Sequence, residues 1–246
     1  MYKRQDHNYD VILYDSQRNF QRERELMGML ARRNVRNIIV DSVCCQKNES
    51  IYIEELKEKM IRRNGANIVM VEREVHDESV HSIFVDNYEA SYLITRHLID
   101  MGRRHIAHIS GAEQFPHAEI RAQGYRKAME DAGLEPDKRW LMMGDFTPLS
   151  GFGLVQELLG KGIDIDAIYA SNDQMAIGAI KAIRKFGLKV PQDIAVAGFD
   201  NLKFSSLITP GTVSYTHLPD RADGRHIRRR AAPAPECCWR WPSRRP

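Results

Sequence analysis

Between residues 9 and 200 the chain alternates short apolar runs with longer amphipathic stretches. The runs are Val11–Tyr14, Ile38–Val40, Ile68–Val71, Ser82–Val85, Ile106–Ile109, Leu141–Met143, Ala167–Ala170 and Ile194–Gly198. Each is apolar on successive rather than alternate residues, the pattern of strands covered on both faces, as in parallel sheets. The stretches between most of them follow the 3.6-residue period of a helix. Leu26, Met27 and Leu30 mark one helix. Ile53, Leu56 and Met60 mark another, which stops at Asn64–Gly65. Ala90, Leu93, Ile94, His97 and Met101 mark a third. Ser150 is placed to cap a helix carrying Leu154, Val155, Leu158 and Leu159. Met175, Ala176, Ala179, Ile180, Ile183 and Phe186 mark the last, with Gly187 placed to end it. Strand, helix, strand, repeated this often, predicts an α/β fold of parallel sheets joined by right-handed crossovers. One step runs directly from strand to strand, from Ile68–Val71 to Ser82–Val85. Its polar loop, Glu72–His81, offers a place for the chain to pass from one sheet to another.

The length of 246 residues and a hydrophobic content of 43% leave room for two lobes, each with a core. No apolar run approaches the roughly 18 residues of a membrane helix. Met1–Asn8 is polar and holds no apolar signal-peptide core. The expectation is a cytoplasmic protein with no membrane partner. The net charge of +3 comes from one end. Residues 213–246 carry eight Arg against three acids, which leaves 28 basic residues against 30 acidic in the rest. The body therefore gives no charge argument for binding nucleic acid. After Thr212 the periodicity ends as well. Residues 213–246 hold five of the ten prolines and two of the three tryptophans. This segment and Met1–Gln5 read like translated adapter sequence, so 213–246 is expected to be a non-native-looking, disordered tail. Cys44–Cys45 and Cys237–Cys238 have neither metal-ligand spacing nor a CxxC pattern and are expected to be reduced thiols.

In open parallel sheets, ligands bind beyond the carboxyl ends of the strands. Nearly every apolar run here ends in a carboxylate, amide or hydroxyl: Asp15, Asp41, Glu72, Asp86–Asn87, Ser110, Asp145, Ser171–Asn172 and Asp200. Turn and N-cap preferences explain Asp86, Ser171 and Asp173 on their own. They explain less well a set that also contains Arg121 and Phe146. Such a set suits a small polar ligand. A carboxylate accepts from adjacent hydroxyls, Arg supplies a fixed fork of donors, and an aromatic ring covers a sugar face or stacks on a base. Catalytic motifs are poor by comparison. Gly151-Phe-Gly153 lacks a third glycine, and neither GxxxxGK[ST] nor GxSxG occurs. His105 and His108 fall on opposite faces of a strand, a poor metal pair. Neither enzyme activity, nor a cofactor, nor a metal is expected.

The stretch Ala170-Ser-Asn-Asp-Gln-Met-Ala-Ile-Gly-Ala179, with Gly187-Leu-Lys-Val-Pro-Gln-Asp-Ile-Ala-Val-Ala-Gly-Phe-Asp-Asn201, resembles the lactose-repressor (LacI/GalR) family of bacterial transcription regulators. Val85–Ala90, Met101–Ala107 and Arg121–Tyr125 match it too, in order, and the resemblance runs from about Tyr9 to Gly211. It implies a two-lobed, periplasmic-binding-protein-like core: an N-terminal lobe over 6–85, a C-terminal lobe over 86–212, and a crossing near Val85–Asp86. In the family a small effector, often a sugar or a purine, sits between the lobes of a dimer that holds operator DNA through a helix-turn-helix domain. Carried over by motif, Arg121, Asn172 and Asp200 become the polar clamp and Phe146 the stacking aromatic. Glu72, where the family usually has Asp before Arg, and Asp41 become contributions of the first lobe. The helix-turn-helix, the hinge helix and the first strand and helix of the core have no counterpart here. Thr209-Pro-Gly211 runs into the odd tail. The expectation is a fragment truncated at both ends, with the alternative of a solute-binding protein for sugar transport.

Overall fold

The computed structural model describes residues 10–202 apart from 45, 113 and 114, together with the backbone of residues 227–230. It is an α/β protein with two parallel sheets, in two compact units that divide between Phe84 and Val85.

In the first unit, helix α1 (Phe20–Arg32) starts at Asn19, whose side chain accepts the Arg22 N–H. Strand β1 (Asn37–Asp41) follows. Helix α2 (Glu49–Leu56) continues as a π turn over Lys57–Arg62 and leads to β2 (Asn67–Val71) and β3 (His81–Val85). β1 pairs in parallel with β2, and β2 with β3. The core lies on one side of this sheet, where Ile38, Val40, Ile68 and Met70 pack under Leu30, Tyr52, Leu56 and Met60. The other side carries Ile39, 75% exposed, and Ile83. These three strands are therefore buried on alternate residues, not on both faces as the apolar runs suggest. The physical reason is topological. β1, β2 and β3 step in one direction, so the helices that serve them stay on one face.

Three further expectations are corrected here. Glu72–His81 does not carry the chain between sheets. It joins parallel neighbours within one sheet, a step that usually needs a dozen or more residues and a helix. Here Val75 and Val80 are buried in the core, and the Val75 N–H donates to Ser82 Oγ at 3.0 Å, so the loop serves instead. Val11–Tyr14 is not a strand: Val11, Ile12 and Leu13 are exposed. An apolar run becomes a strand only through a ladder partner, and among the described residues it has none. Finally, Ile227–Arg230 forms strand β8 beside β3, an element the reading of 213–246 as a disordered tail did not foresee. The rest of that segment and Met1–Gln5 lie outside the described residues. Cys44 is buried.

The second unit opens with α3 (Asn87–Asp100), capped by the Asp86 carboxylate on the Glu89 N–H at 3.0 Å. Then come β4 (Ile106–Ser110), α4 (Pro116–Asp131), β5 (Leu141–Met143), α5 (Pro148–Gly160), β6 (Ala167–Ala170), α6 (Asp173–Lys185) and β7 (Ala195–Ala197). All pairings are parallel, in the order β5-β4-β6-β7. The chain steps from β4 out to β5, then back past β4 to β6. Right-handed crossovers therefore put α4 and α5 on opposite faces. β6 and β7 are buried along their whole length, and β4 on all but its last residue. Apolar periodicity does not mark α4, because its buried face is mostly small: Ala118, Ala122 and Ala128 beside Tyr125 and Met129. The cap of α5 is Thr147 rather than Ser150. The Ser150 N–H donates to Thr147 Oγ1 at 3.2 Å, and Pro148 fills the first helical position, where no N–H is missed. Gly187, at φ 77°, does end α6. The Leu188 N–H reaches the Ile183 carbonyl, and its own N–H the Arg184 carbonyl.

Two stability tests follow from this packing. A β-carbon at Gly178 would lie 2.0 Å from the Pro148 carbonyl oxygen, whereas one at Gly153 meets nothing within 4 Å. Gly178→Ala is expected to cost about 1–3 kcal/mol by forcing α5 and α6 apart. Gly153→Ala should gain up to about 1 kcal/mol by helix propensity, both read by urea denaturation. His108 is buried between Tyr125 and Tyr169, with ring centroids 5.0 and 4.6 Å away, and burial lowers its pKa to about 3. The unfolded chain takes up this proton below about pH 6.5, the folded chain only near 3. Stability should therefore fall as pH drops from about 6.5 towards 3, and His108→Gln should remove that part of the slope.

Candidate functional site

The order β5-β4-β6-β7 has a switch point between β4 and β6. Connections leaving these neighbours diverge to opposite sides, so a crevice opens beyond their carboxyl ends. The residues gathered there come from five separate places in the chain.

Phe146 follows β5 in the left-handed region, at φ 67°. Its ring lies directly on Gly111, after β4, where a β-carbon would come within 1.8 Å of it. Phe115 meets the ring edge-on at 5.4 Å, and His117 meets it tilted at 5.4 Å. The Phe146 carbonyl accepts from Asn172 Nδ2 at 3.0 Å, and Asn172 Oδ1 caps α6 by accepting the Met175 N–H at 2.9 Å. Asn172 is thus engaged at both ends of its carboxamide and fixes the Phe146 loop. The cap preference that accounts for Ser171 and Asp173 applies to it as well.

Arg121, in the second turn of α4, is buried. Its Nε donates to Asn87 Oδ1 at 2.8 Å, one Nη donates to the Ser171 carbonyl, and Cζ lies 3.5 Å over the Phe199 ring. The other Nη is 3.9 Å from Asp200 Oδ1. Asp200 and Asn201 are both left-handed, at φ 72° and 56°, and the Asp200 side chain is 38% exposed. Desolvation pushes the Asp200 carboxyl up, and the Arg121 charge opposes that. The structure thus brings Arg121, Asn172, Asp200 and Phe146 to one end of the second sheet.

Asp41 and Glu72 belong to the first unit. Asp41 ends β1; desolvation and the Glu23 carboxylate raise its pKa, against the charge of Arg73. Glu72 follows β2 at φ 58°, exposed, its N–H donating to the Ile83 carbonyl at 2.9 Å. Arg73 donates to Glu49 at 2.8 Å and to the Cys44 carbonyl. Among the described residues no three His, Cys, Asp or Glu side chains are grouped to hold a metal. His105 pairs with Asp164 at 2.7 Å, apart from His108. Asn87, Gly111 and Phe199 stand near strand ends, where the sequence places ligand contacts, but the site set that the resemblance assigns leaves all three out. Position was the available signal; the contact of Asn87 with Arg121, 34 residues on, was not. A partly exposed carboxylate 3.9 Å from a guanidinium, at the same end of the sheet as an aromatic ring, can bind and orient a polar ligand.

Residues 3–231 match the family described as periplasmic binding proteins and sugar binding domain of LacI family. The HTH-type transcriptional repressor PurR of Edwardsiella ictaluri is 33% identical over 214 residues, 87% of this chain and 60% of that protein. PurR of Serratia proteamaculans is 32% identical over 225 residues, 87% of this chain and 64% of that protein. The chain therefore spans about three-fifths of the length of these curated relatives. Among solved structures, a sugar-binding transcriptional regulator (LacI family) from Escherichia coli, complexed with phosphate, superposes with a TM-score of 0.75 at 27% identity, covering 85% of this chain and 73% of that one. The transcriptional regulator CelR–cellobiose complex gives 0.65 at 31% identity, covering 79% and 57%.

The double role of Asn172 can be separated by substitution. Asn172→Ala loses both the cap and the Phe146 carbonyl bond, and is expected to cost about 1–3 kcal/mol in chemical denaturation. Asn172→Asp keeps the cap acceptor and loses only the donor to Phe146, so it should cost less. Equal losses in the two variants would mean that the cap contributes nothing.

Proposed function

We propose that this chain, which belongs to the family of periplasmic binding proteins and sugar binding domains of the LacI family, is the effector-sensing core of a bacterial transcription regulator. The observation that carries this reading is the convergence of Arg121, Asp200 and Phe146 at the switch point of the second sheet. The effector is a small polar molecule, a sugar or a purine. Asp200 accepts its hydroxyl or ring N–H donors, Arg121 braces Asp200, Phe146 covers its flat face, and Asn172 holds the Phe146 loop. Asp41 and Glu72 are candidate polar ligand contacts at the strand ends of the first unit. The similar proteins named as transcriptional repressors, and one named as a complex with cellobiose, favour a regulator over a transport protein.

The whole protein is a cytoplasmic homodimer that holds operator DNA through a separate domain. Effector and DNA favour different states of that dimer, so each changes the affinity of the other by the same factor. The site binds and releases its ligand unchanged. Among the described residues no helix is long and apolar enough to cross a membrane.

Calorimetry with cellobiose, simple hexoses and purine bases tests the reading. One class should bind saturably, one molecule per chain. Asp200→Ala should weaken that binding by about one to two decades, the range for losing a charge-assisted hydrogen bond of roughly 1.5–3 kcal/mol. Phe146→Ala should weaken it through lost stacking. An affinity unchanged in both variants would put the effector elsewhere.

A further inference from the structure

We infer that Asn87 is a positioning residue of the effector site: its carboxamide, anchored on the Val85 carbonyl, holds the Arg121 guanidinium in the orientation that braces Asp200. This rests on the reading of Asp200 as the effector's acceptor.

The geometry gives Asn87 this role for three reasons. First, the Phe199 ring, 3.5 Å from Cζ, supports the guanidinium but offers it no in-plane acceptor. In-plane hydrogen bonds fix the rotation, and two are made: Nε to Asn87 Oδ1, and one Nη to the Ser171 carbonyl. The Ser171 acceptor is main chain; the Asn87 acceptor is a side chain, and so a point at which the sequence decides. Second, the amide of Asn87 can sit only one way. Arg offers donors alone, so it must face Oδ1, while Nδ2 donates to the Val85 carbonyl at 3.1 Å. A flipped amide would set donor against donor at one end and acceptor against acceptor at the other. Third, Asn87 is buried, so it acts through Arg121 rather than on the effector. Its own place is firm. It lies in the first turn of α3 behind the Asp86 cap, Ser91 one turn on donates to the Arg121 carbonyl, and a β-carbon at Gly124 of α4 would come within 2.3 Å of the Tyr88 carbonyl oxygen. The two helices meet there backbone to side chain, with little slack.

The test uses the full chain, isotope-labelled, without effector. Three variants are compared: Asn87→Leu, of similar size with no hydrogen bond; Asn87→Asp, which keeps an acceptor for Nε; and Ser91→Ala, which loosens the helix pair without touching the guanidinium. The readouts are the Arg121 Nε–H resonance and the pH titration of the Asp200 carboxyl. In Asn87→Leu the resonance should lose its protection from solvent exchange, and Asp200 should titrate at higher pH, because the cation that favours its ionised form has moved. Asn87→Asp should keep the protected resonance, and Ser91→Ala should keep both readouts. Any probe that binds the wild type, cellobiose or a purine base, should lose about tenfold in affinity in Asn87→Leu. Unchanged readouts in a folded Asn87→Leu chain would overturn the inference. So would an equal change in Ser91→Ala, which would reduce Asn87 to general packing. If Asn87→Leu does not fold, Asn87→Asp decides: a folded chain without the protected resonance refutes the role. Two readouts need no ligand, so this inference can fail while effector binding stands, and effector binding can fail while Arg121 remains positioned.

Discussion

A buried guanidinium organises the second unit. A cation out of water is tolerable only when its donors are met and its charge is answered. Arg121 is met from every side by a different stretch of chain: Asn87 from α3, the Ser171 carbonyl after β6, and Phe199 and Asp200 after β7. The last of these segments is tied in turn to the start of α6, where the Asp173 carboxylate accepts the Leu202 N–H at 2.7 Å. Moving any one of them would strand a polar group. The site is therefore built less by the groups that would touch a ligand than by the requirement that one charge be satisfied in a crowded place.

The supporting fold meets that requirement by close backbone approach. α5 and α6 touch through Gly178 and Gly151, and α3 and α4 through Gly124. The loops at the carboxyl ends of β4 and β6 then inherit fixed positions. The left-handed turns at Phe146 and Asp200 aim side chains from a frame that does not yield. Such conformations carry a local cost and persist only where the surroundings hold them.

Much of the second unit was legible in the sequence, because its sheet is covered on both faces and its strands are accordingly apolar throughout. β4, β6 and β7 are of this kind, and Gly187 stops α6 where a left-handed residue is needed. The first unit was less legible. Ile39 reads like a core residue yet is exposed, because a strand's pattern does not say how many of its faces are covered. Val11–Tyr14 has the composition of a strand without the partner that makes one. Thr147 and Ser150 are both good caps, and only the entry of Pro148 into the first turn distinguishes them. At the site, strand-end position singles out Asn172 and Asp200, residue type adds Arg121 and Phe146, and the family resemblance gives all four their expected roles. What neither could supply was who holds whom: the Asn87–Arg121 and Asn172–Phe146 contacts join residues far apart in the chain.

The contact between Gly111 and the Phe146 ring bears on how such a site can diversify. The ring fills the space that any side chain at 111 would need, so the two positions are not independent variables. While 146 is aromatic and lies over β4, residue 111 must remain glycine. Once 146 becomes small, 111 is released to carry a side chain into the same volume. A change of ligand preference that trades the aromatic plate for a polar group would then pass through position 146 first and position 111 second. The reverse order would meet a steric collision before any new contact formed. Related sequences should thus hold glycine at one position wherever they hold an aromatic at the other, a linkage set by volume rather than by common descent.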